Sequence, residues 1–565
     1  MDGCAGAAAI GYRHSGARVV ARTRNDSQDE AKTAKTVSHQ REKPVSHLRS
    51  GGTVGSLLVS AIARYADQPA IADGTSRWTY RDYGDVVARF IGLFRNLGLT
   101  KTSGLSVLSG NRAETWAAIS AAAIMGIRYT PLHPMAAEDD QAFIVEDAEI
   151  DVLIVEGGKF AERGKALKAR VSGLKHLYSF GAVEGVRDLL KELPAIKPEP
   201  LVDESHVDDI CWLSYTGGTT GRSKGVMNPH RVVVAMCLAI IADWDWPRDI
   251  RYLAATPISH AAGITIFPVM LRGGFTRLVQ GFDAETYLRV VHEEKITATF
   301  LVPTLIYALI DAEDIRRKYD TSSLDMIVYG AAPMSPDRLR EGVRIFGNVF
   351  VQLYGQTEAP QIITTMRKID HDDSKPGRLG SCGRANPMVE VKLLDADLNE
   401  VATGQPGEIC VRGSLVMDGY WKRPDATEEV FRGGWLHTGD VAVKDADGFF
   451  YIVDRTKDMI ISGGFNIYPR EVEDALMAHH AVASAAVIGI PDAKWGEAVK
   501  AFVVLKNGAN NSVEELQTHV KDKRGAPWSP KSIDFVAEIP VTGLGKIDRK
   551  ALRAPYWGGQ ARGVA

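Results

Sequence analysis

The sequence predicts an α/β protein: a large N-terminal α/β domain with layered sheets, then a small α+β domain at the C-terminus. Three observations predict it. Short β-rich runs alternate with helical stretches from about residue 55 onward. The texture changes after about residue 400, where helices thin out and Gly- and Asp-rich turns separate β runs. The chain has 565 residues, more than one core serves at ~100–200 residues per domain.

The elements follow in order. Residues 1–50 are polar and aperiodic, and read as a disordered tail or a misassigned start. Their Arg- and Ser-containing opening only faintly resembles a transit peptide and makes a poor secretory signal. "TVGSLLVSAIARYADQPAI" opens the folded chain with apolar residues at helical spacing. "RFIGLFRNLGL" and "ETWAAISAAAIMGI" read as helices. "DVLIVE", "DICWLSYT", "RYLAATPI", "MIVYG" and "FVQLYG" read as buried strands. Strands separated by helices argue for parallel sheets, whose chemistry collects at the strands' carboxyl ends. "SYTGGTTG", "TPISHAAG", "IVYGAAP" and "QLYGQTEAP" all leave such ends, which points to one shared site. Later, "GEICVRG" reads as a β run, and "GGWLHTGDVAVKDADGFFYIVDRTKDMIISGGFNIYP" as a single β meander. "REVEDALMAHHAVASAAVIGIPD" reads as a helix and then a strand, with a small domain beginning near Asp458.

Composition narrows the function. The 67 basic and 70 acidic residues leave a net charge of −3, which speaks against nucleic acid as a bulk partner. Five scattered cysteines without a CxxC pair argue against disulfide and zinc frameworks and suit a reducing cytoplasm. No apolar run approaches the ~20 residues of a membrane helix. Nothing excludes a homodimer.

The stretch "YTGGTTGRSKG" (215–225) carries most chemistry. Its small residues let backbone approach a ligand closely, while hydroxyls, N–H groups and Lys224 suit phosphates. It is not a Walker loop, because Lys224 precedes Gly225 and no Ser or Thr follows.

The loop resembles the phosphate signature of the adenylate-forming superfamily, which includes acyl-CoA synthetases and aryl-CoA ligases. "YGQTE" (354–358), "GEICVRG" (407–413), "GWLHTGD" (434–440), "DRTKDMIISGGFNIYP" (454–469) and "PVTGLGKIDRKAL" (540–552) follow in that family's order. The resemblance spans roughly residues 55–555. It implies a two-step reaction. A carboxylate attacks the α-phosphate of Mg-ATP to give acyl-AMP and pyrophosphate, and coenzyme A then displaces AMP. It also implies a mobile small domain: residues 51–453 bind AMP and the acyl group, 454–457 form a hinge around Lys457, and 458–565 swing between the half-reactions.

Residue by residue, the resemblance gives Thr216, Gly217, Gly218, Thr219, Thr220, Gly221 and Lys224 to the phosphates. Gly330, Ala331 and Ala332 pass the adenine. In the "YGQTE" stretch, Tyr354, Gly355, Gln356 and Thr357 belong to the nucleotide site, with Thr357 an α-phosphate donor. Glu358 is the expected Mg²⁺ ligand, since a hard cation takes carboxylate oxygen. Asp440 would accept bonds from both ribose hydroxyls, with Arg455 nearby. Lys546 would stabilise the adenylation transition state. His260 would sit beside the reacting carboxylate, with Gly263 and Tyr329 shaping the acyl pocket. Gly463 and Gly464 would line the pantetheine path, with Trp495 and Lys531 near the CoA nucleotide.

No acidic residue stands in "SHAAG" to pair an ammonium, which disfavours amino acids. A medium- or long-chain fatty acid, or an aromatic acid, is expected. The rival readings are an acyl-AMP ligase that loads a carrier protein, a luciferase-like oxygenase, and a nucleotide-binding pseudoenzyme or sensor.

Overall fold

The computed structural model describes residues 52–216, 223–455, 458–462, 465–492, 495–506, 508–541 and 547–558. Four sheets organise them. A nine-stranded sheet runs in the order Arg384–Ala385, Thr364–Met366, Phe350–Tyr354, Met326–Tyr329, Ala298–Leu301, Arg251–Ala254, Phe275–Leu278, Pro69–Ala72 and Arg77–Thr79. Its six central strands, from Phe350–Tyr354 to Pro69–Ala72, are parallel, and the edges are antiparallel. A seven-stranded sheet has Gly104–Leu108 near its middle and ends in the antiparallel pair Ile210–Thr216 and Lys224–Pro229.

The parallel strands are continuous apolar runs because both of their faces are covered. The helix Ala113–Met125 shows the consequence for helices. All thirteen of its residues are buried, and its polar positions are confined to small Thr115 and Ser120 and to Glu114 in the first turn. It packs against the helices Val54–Arg64 and Tyr80–Asn96. Thr53 and Thr79 start those two helices through capping boxes.

Beyond residue 388 the sheets change character. Val389–Leu394, Pro406–Gly413, Leu436–Lys444 and Phe450–Arg455 form a four-stranded antiparallel sheet. The expected single meander over 433–469 is corrected here. Its first two strands belong to that sheet, whereas Ile460–Ser462 and Phe465–Ile467 join a C-terminal sheet with Val482–Asp492, Gly496–Leu505 and Ser532–Phe535. The helix Pro469–Met477 and helix Val513–Arg524 bury Val472, Leu476, Leu516 and Val520 in that sheet's own core. Among the described residues, no helix is long and apolar enough to cross a membrane.

Candidate active site

The "YGQTE" and "TGD" motifs are distant in the chain and meet at Asp440, 86 residues after Tyr354 and 84 after Gln356. Asp440 is 5% exposed. Its Oδ2 accepts from the Tyr354 hydroxyl at 2.8 Å and from Gln356 Nε2 at 2.7 Å. Burial, and next the Asp440 charge, push the Tyr354 hydroxyl well above the ordinary tyrosine range, so it stays a donor. Asp440 also stands opposite Arg455 in the strand register. The Arg455 side chain lies outside the described atoms.

A second layer supports that carboxylate. Glu408 Oε1 accepts from the Gly439 amide at 2.8 Å, and Glu408 Oε2 lies 2.7 Å from His437 Nδ1 and 3.0 Å from Arg432 Nη2. Cys410 Sγ lies 3.4 Å from His437 Nδ1. Glu408, Cys410 and His437 thus gather three ligand-type atoms. With Arg432 and Gly439 already on the carboxylate, the cluster acts as a hydrogen-bonded brace for the strand that carries Asp440.

Thr216 and Lys224 are paired across the antiparallel hairpin. Residues Gly217, Gly218, Thr219, Thr220 and Gly221 between them lie outside the described residues. Lys224 Nζ sits 4.8 Å from the centroid of the Tyr420 ring, and the Tyr420 hydroxyl donates to Glu358 Oε1 at 2.9 Å. The expected phosphate lysine and the expected metal ligand therefore share one tyrosine. Thr357 is fixed through its carbonyl, which accepts from the buried Asn228 amide at 3.0 Å.

Three backbone positions explain the small residues nearby. A Cβ on Gly330 would stand 2.4 Å from the Leu353 carbonyl oxygen, and one on Gly355 would stand 2.5 Å from the backbone of Gln361. Ala331 holds φ +63°, a left-handed conformation that costs a non-glycine residue ~1–2 kcal/mol. Ala332 follows, half-buried.

His260 caps the helix Ala261–Leu271, whose N-terminus favours an anion. Its Nδ1 lies 2.9 Å from Ser259 Oγ, and its ring meets His133 edge-on at 4.7 Å. Asn111 sets the loop before it. The buried Asn111 amide donates to the carbonyls of Thr256 and Val279, both at 2.9 Å, and its Oδ1 accepts from the Ile258 amide at 3.0 Å. Gln361 Nε2 ties the "YGQTE" turn to the Ala261 carbonyl at 2.8 Å.

Gly263 is indispensable here, since a Cβ would fall 1.7 Å from the Ile258 carbonyl oxygen. Gly263→Ala is expected to destabilise the fold by about 1–3 kcal/mol. It should also lower kcat/KM about 100-fold by displacing His260. Urea midpoints and pyrophosphate release would measure the two effects. A fully active, equally stable variant would contradict this packing.

Tyr329 needs correction as a pocket residue. On the strand Met326–Tyr329, side chains alternate between faces. Val328 packs in the cluster that holds Ala262 and Ile266, whereas Tyr329 packs with Ile327, Phe350 and Leu339 in another. Its hydroxyl lies 3.1 Å from His371 Nε2. Tyr329 therefore faces away from the His260 helix.

In the C-terminal sheet, Lys531 Nζ lies 5.5 Å from the centroid of Trp495, which is 39% exposed. Those two expected CoA contacts adjoin. Lys457, Gly463, Gly464 and Lys546 lie outside the described residues.

Sequence reasoning missed Asn111, Gln361, Glu408 and Tyr420. A signal existed for Glu408 in "GEICVRG", where an acid interrupts an apolar strand.

The site therefore joins an anion-suited hairpin, a carboxylate held by two donors and a histidine at a helix N-terminus, as an enzyme handling a nucleotide and an acid requires. Comparison with known proteins agrees. Residues 58–421 match the AMP-binding enzyme family, and residues 471–546 match the AMP-binding enzyme C-terminal domain. The medium/long-chain-fatty-acid–CoA ligase FadD8 of Mycobacterium tuberculosis is 42% identical over 531 residues, 92% of each chain. A feruloyl-CoA synthase of an Amycolatopsis species is 35% identical over 489 residues, 86% of this chain and 96% of that one. Among solved structures, the amide bond synthetase McbA of Marinactinospora thermotolerans superposes with a TM-score of 0.82 at 30% identity, covering 89% of this chain and all of that one. The chain belongs to the AMP-binding enzyme family, in the acyl-CoA ligase branch of the adenylate-forming superfamily.

Proposed function

We propose that the protein is an AMP-forming acyl-CoA synthetase that activates a medium- or long-chain fatty acid. The observation that carries this reading is the 42% identity to a medium/long-chain-fatty-acid–CoA ligase across 92% of both chains. An aromatic acid is the second reading, favoured by the feruloyl-CoA synthase at 35% identity.

In the first half-reaction the acid's carboxylate lies by His260 and the N-terminus of its helix, and attacks the α-phosphate of ATP. Asp440 holds the ribose hydroxyls, and the 216–224 hairpin holds the leaving pyrophosphate with Lys224. Glu358 supplies the oxygen that suits Mg²⁺, and the Tyr420 hydroxyl orients it. Bound Mg²⁺ would neutralise phosphate charge. Thr357 donates to the α-phosphate, and Lys546 stabilises the charge that grows there. In the second half-reaction the small domain turns about Lys457. Coenzyme A then enters past Gly463 and Gly464, with its nucleotide at Trp495 and Lys531. A cytoplasmic enzyme fits the water-soluble co-substrates ATP and coenzyme A.

The test is pyrophosphate release with Mg-ATP across short, medium and long fatty acids, benzoates, cinnamates and amino acids. Release with medium or long fatty acids, faster with CoA, is expected. Release with cinnamates alone would shift the reading to the aromatic class. Release with amino acids alone would overturn both.

A further inference from the structure

We infer that Gln356 is a positioning residue that sets discrimination for the ribose hydroxyls of ATP by orienting Asp440. This rests on the reading of Asp440 as the ribose acceptor. A primary amide nitrogen carries two N–H donors. Both from Gln356 are used within the "TGD" segment, one on the Thr438 carbonyl at 2.8 Å and one on Asp440 Oδ2 at 2.7 Å. One side chain thus grips both the backbone that leads into Asp440 and the carboxylate itself. The Tyr354 hydroxyl shares the same Oδ2 at 2.8 Å. Two donors on one oxygen fix the carboxylate's rotation, because bonds to a charged acceptor are strong and directional. The Thr438 hydroxyl adds a bond from the Asp440 amide at 3.2 Å. Both side-chain donors of Gln356 are thus committed to Thr438 and Asp440.

This predicts a dependence on the substrate that a purely structural role would not show. Gln356→Met keeps length and removes the donors. It should lower kcat/KM for ATP about tenfold, mainly through KM. With 2′-deoxy-ATP or 3′-deoxy-ATP the loss should shrink to about threefold, because one of the two hydroxyls that Asp440 would receive is gone. Tyr354→Phe, which removes only the other donor, should show the same pattern and serves if Gln356→Met fails to fold.

The measurement is kcat/KM for the three nucleotides with the wild type and both variants, with thermal midpoints alongside. Reduced preference for ATP over the deoxy nucleotides in both variants supports the inference. Equal losses with all three nucleotides would overturn it. A wild-type enzyme that does not discriminate among them would overturn the ribose reading itself, and the inference with it.

Discussion

Replacing Lys546 by alanine is expected to cut acid-dependent pyrophosphate release about 10²–10³-fold, the cost typical of removing one preorganised charge donor from a transition state. Transfer from preformed acyl-AMP to coenzyme A should stay within about threefold of wild type, since the two half-reactions use different poses of the small domain. Lys546 lies outside the described residues, but its flanks are tied. Val541 pairs with Ile547, and the Asp548 amide donates to the Pro540 carbonyl at 2.8 Å. Single-turnover measurement of each half-reaction separates the outcomes. Equal losses in both would contradict the division of labour between poses.

Acidification is expected to destabilise the folded state before most carboxylates titrate. Burial lowers His230 and His371 to about 4, against about 6.5 in an unfolded chain. Burial, which penalises the charged form, holds each ring neutral. His230 Nδ1 accepts from the Val54 amide at 3.2 Å. His371 lies between the Arg367 carbonyl, 2.9 Å from Nδ1, and the Tyr329 hydroxyl. As pH falls below about 6.5 the unfolded chain takes up these two protons first, so stability is full above that pH and drains toward pH 4. Between pH 7 and 5 the loss is about 2 kcal/mol per histidine. Urea midpoints at the two pH values would measure it, and His371→Gln should remove its share of the pH dependence. A midpoint unchanged between pH 7 and 5 would contradict the buried neutral rings.

Much of the fold was legible because its signals are local. "DVLIVE" and "MIVYG" announce strands by apolar runs, and "ETWAAISAAAIMGI" announces a helix by length and alanine. The motif positions were legible for the same reason, since the loops that leave parallel strands carry small and polar residues. Contacts distant in sequence were not legible. Asn111 braces residues 145 and 168 positions away, and Tyr420 joins Lys224 to Glu358 across segments with no shared pattern. Tyr329 was misplaced because a buried strand is apolar on both faces, so alternation alone does not say which face meets His260. The meander divided between two sheets because its turns look alike whether a strand returns to its neighbour or crosses to a new sheet.

The most direct test of the central claim is mass spectrometry of the products formed from Mg-ATP, CoA and a medium-chain fatty acid. Acyl-CoA, AMP and pyrophosphate in equal amounts, formed about 10²–10³-fold more slowly by Lys546→Ala, is the result this mechanism requires. Acyl-AMP that accumulates with CoA present and no thioester, or an acyl group delivered only to an amine, would contradict it.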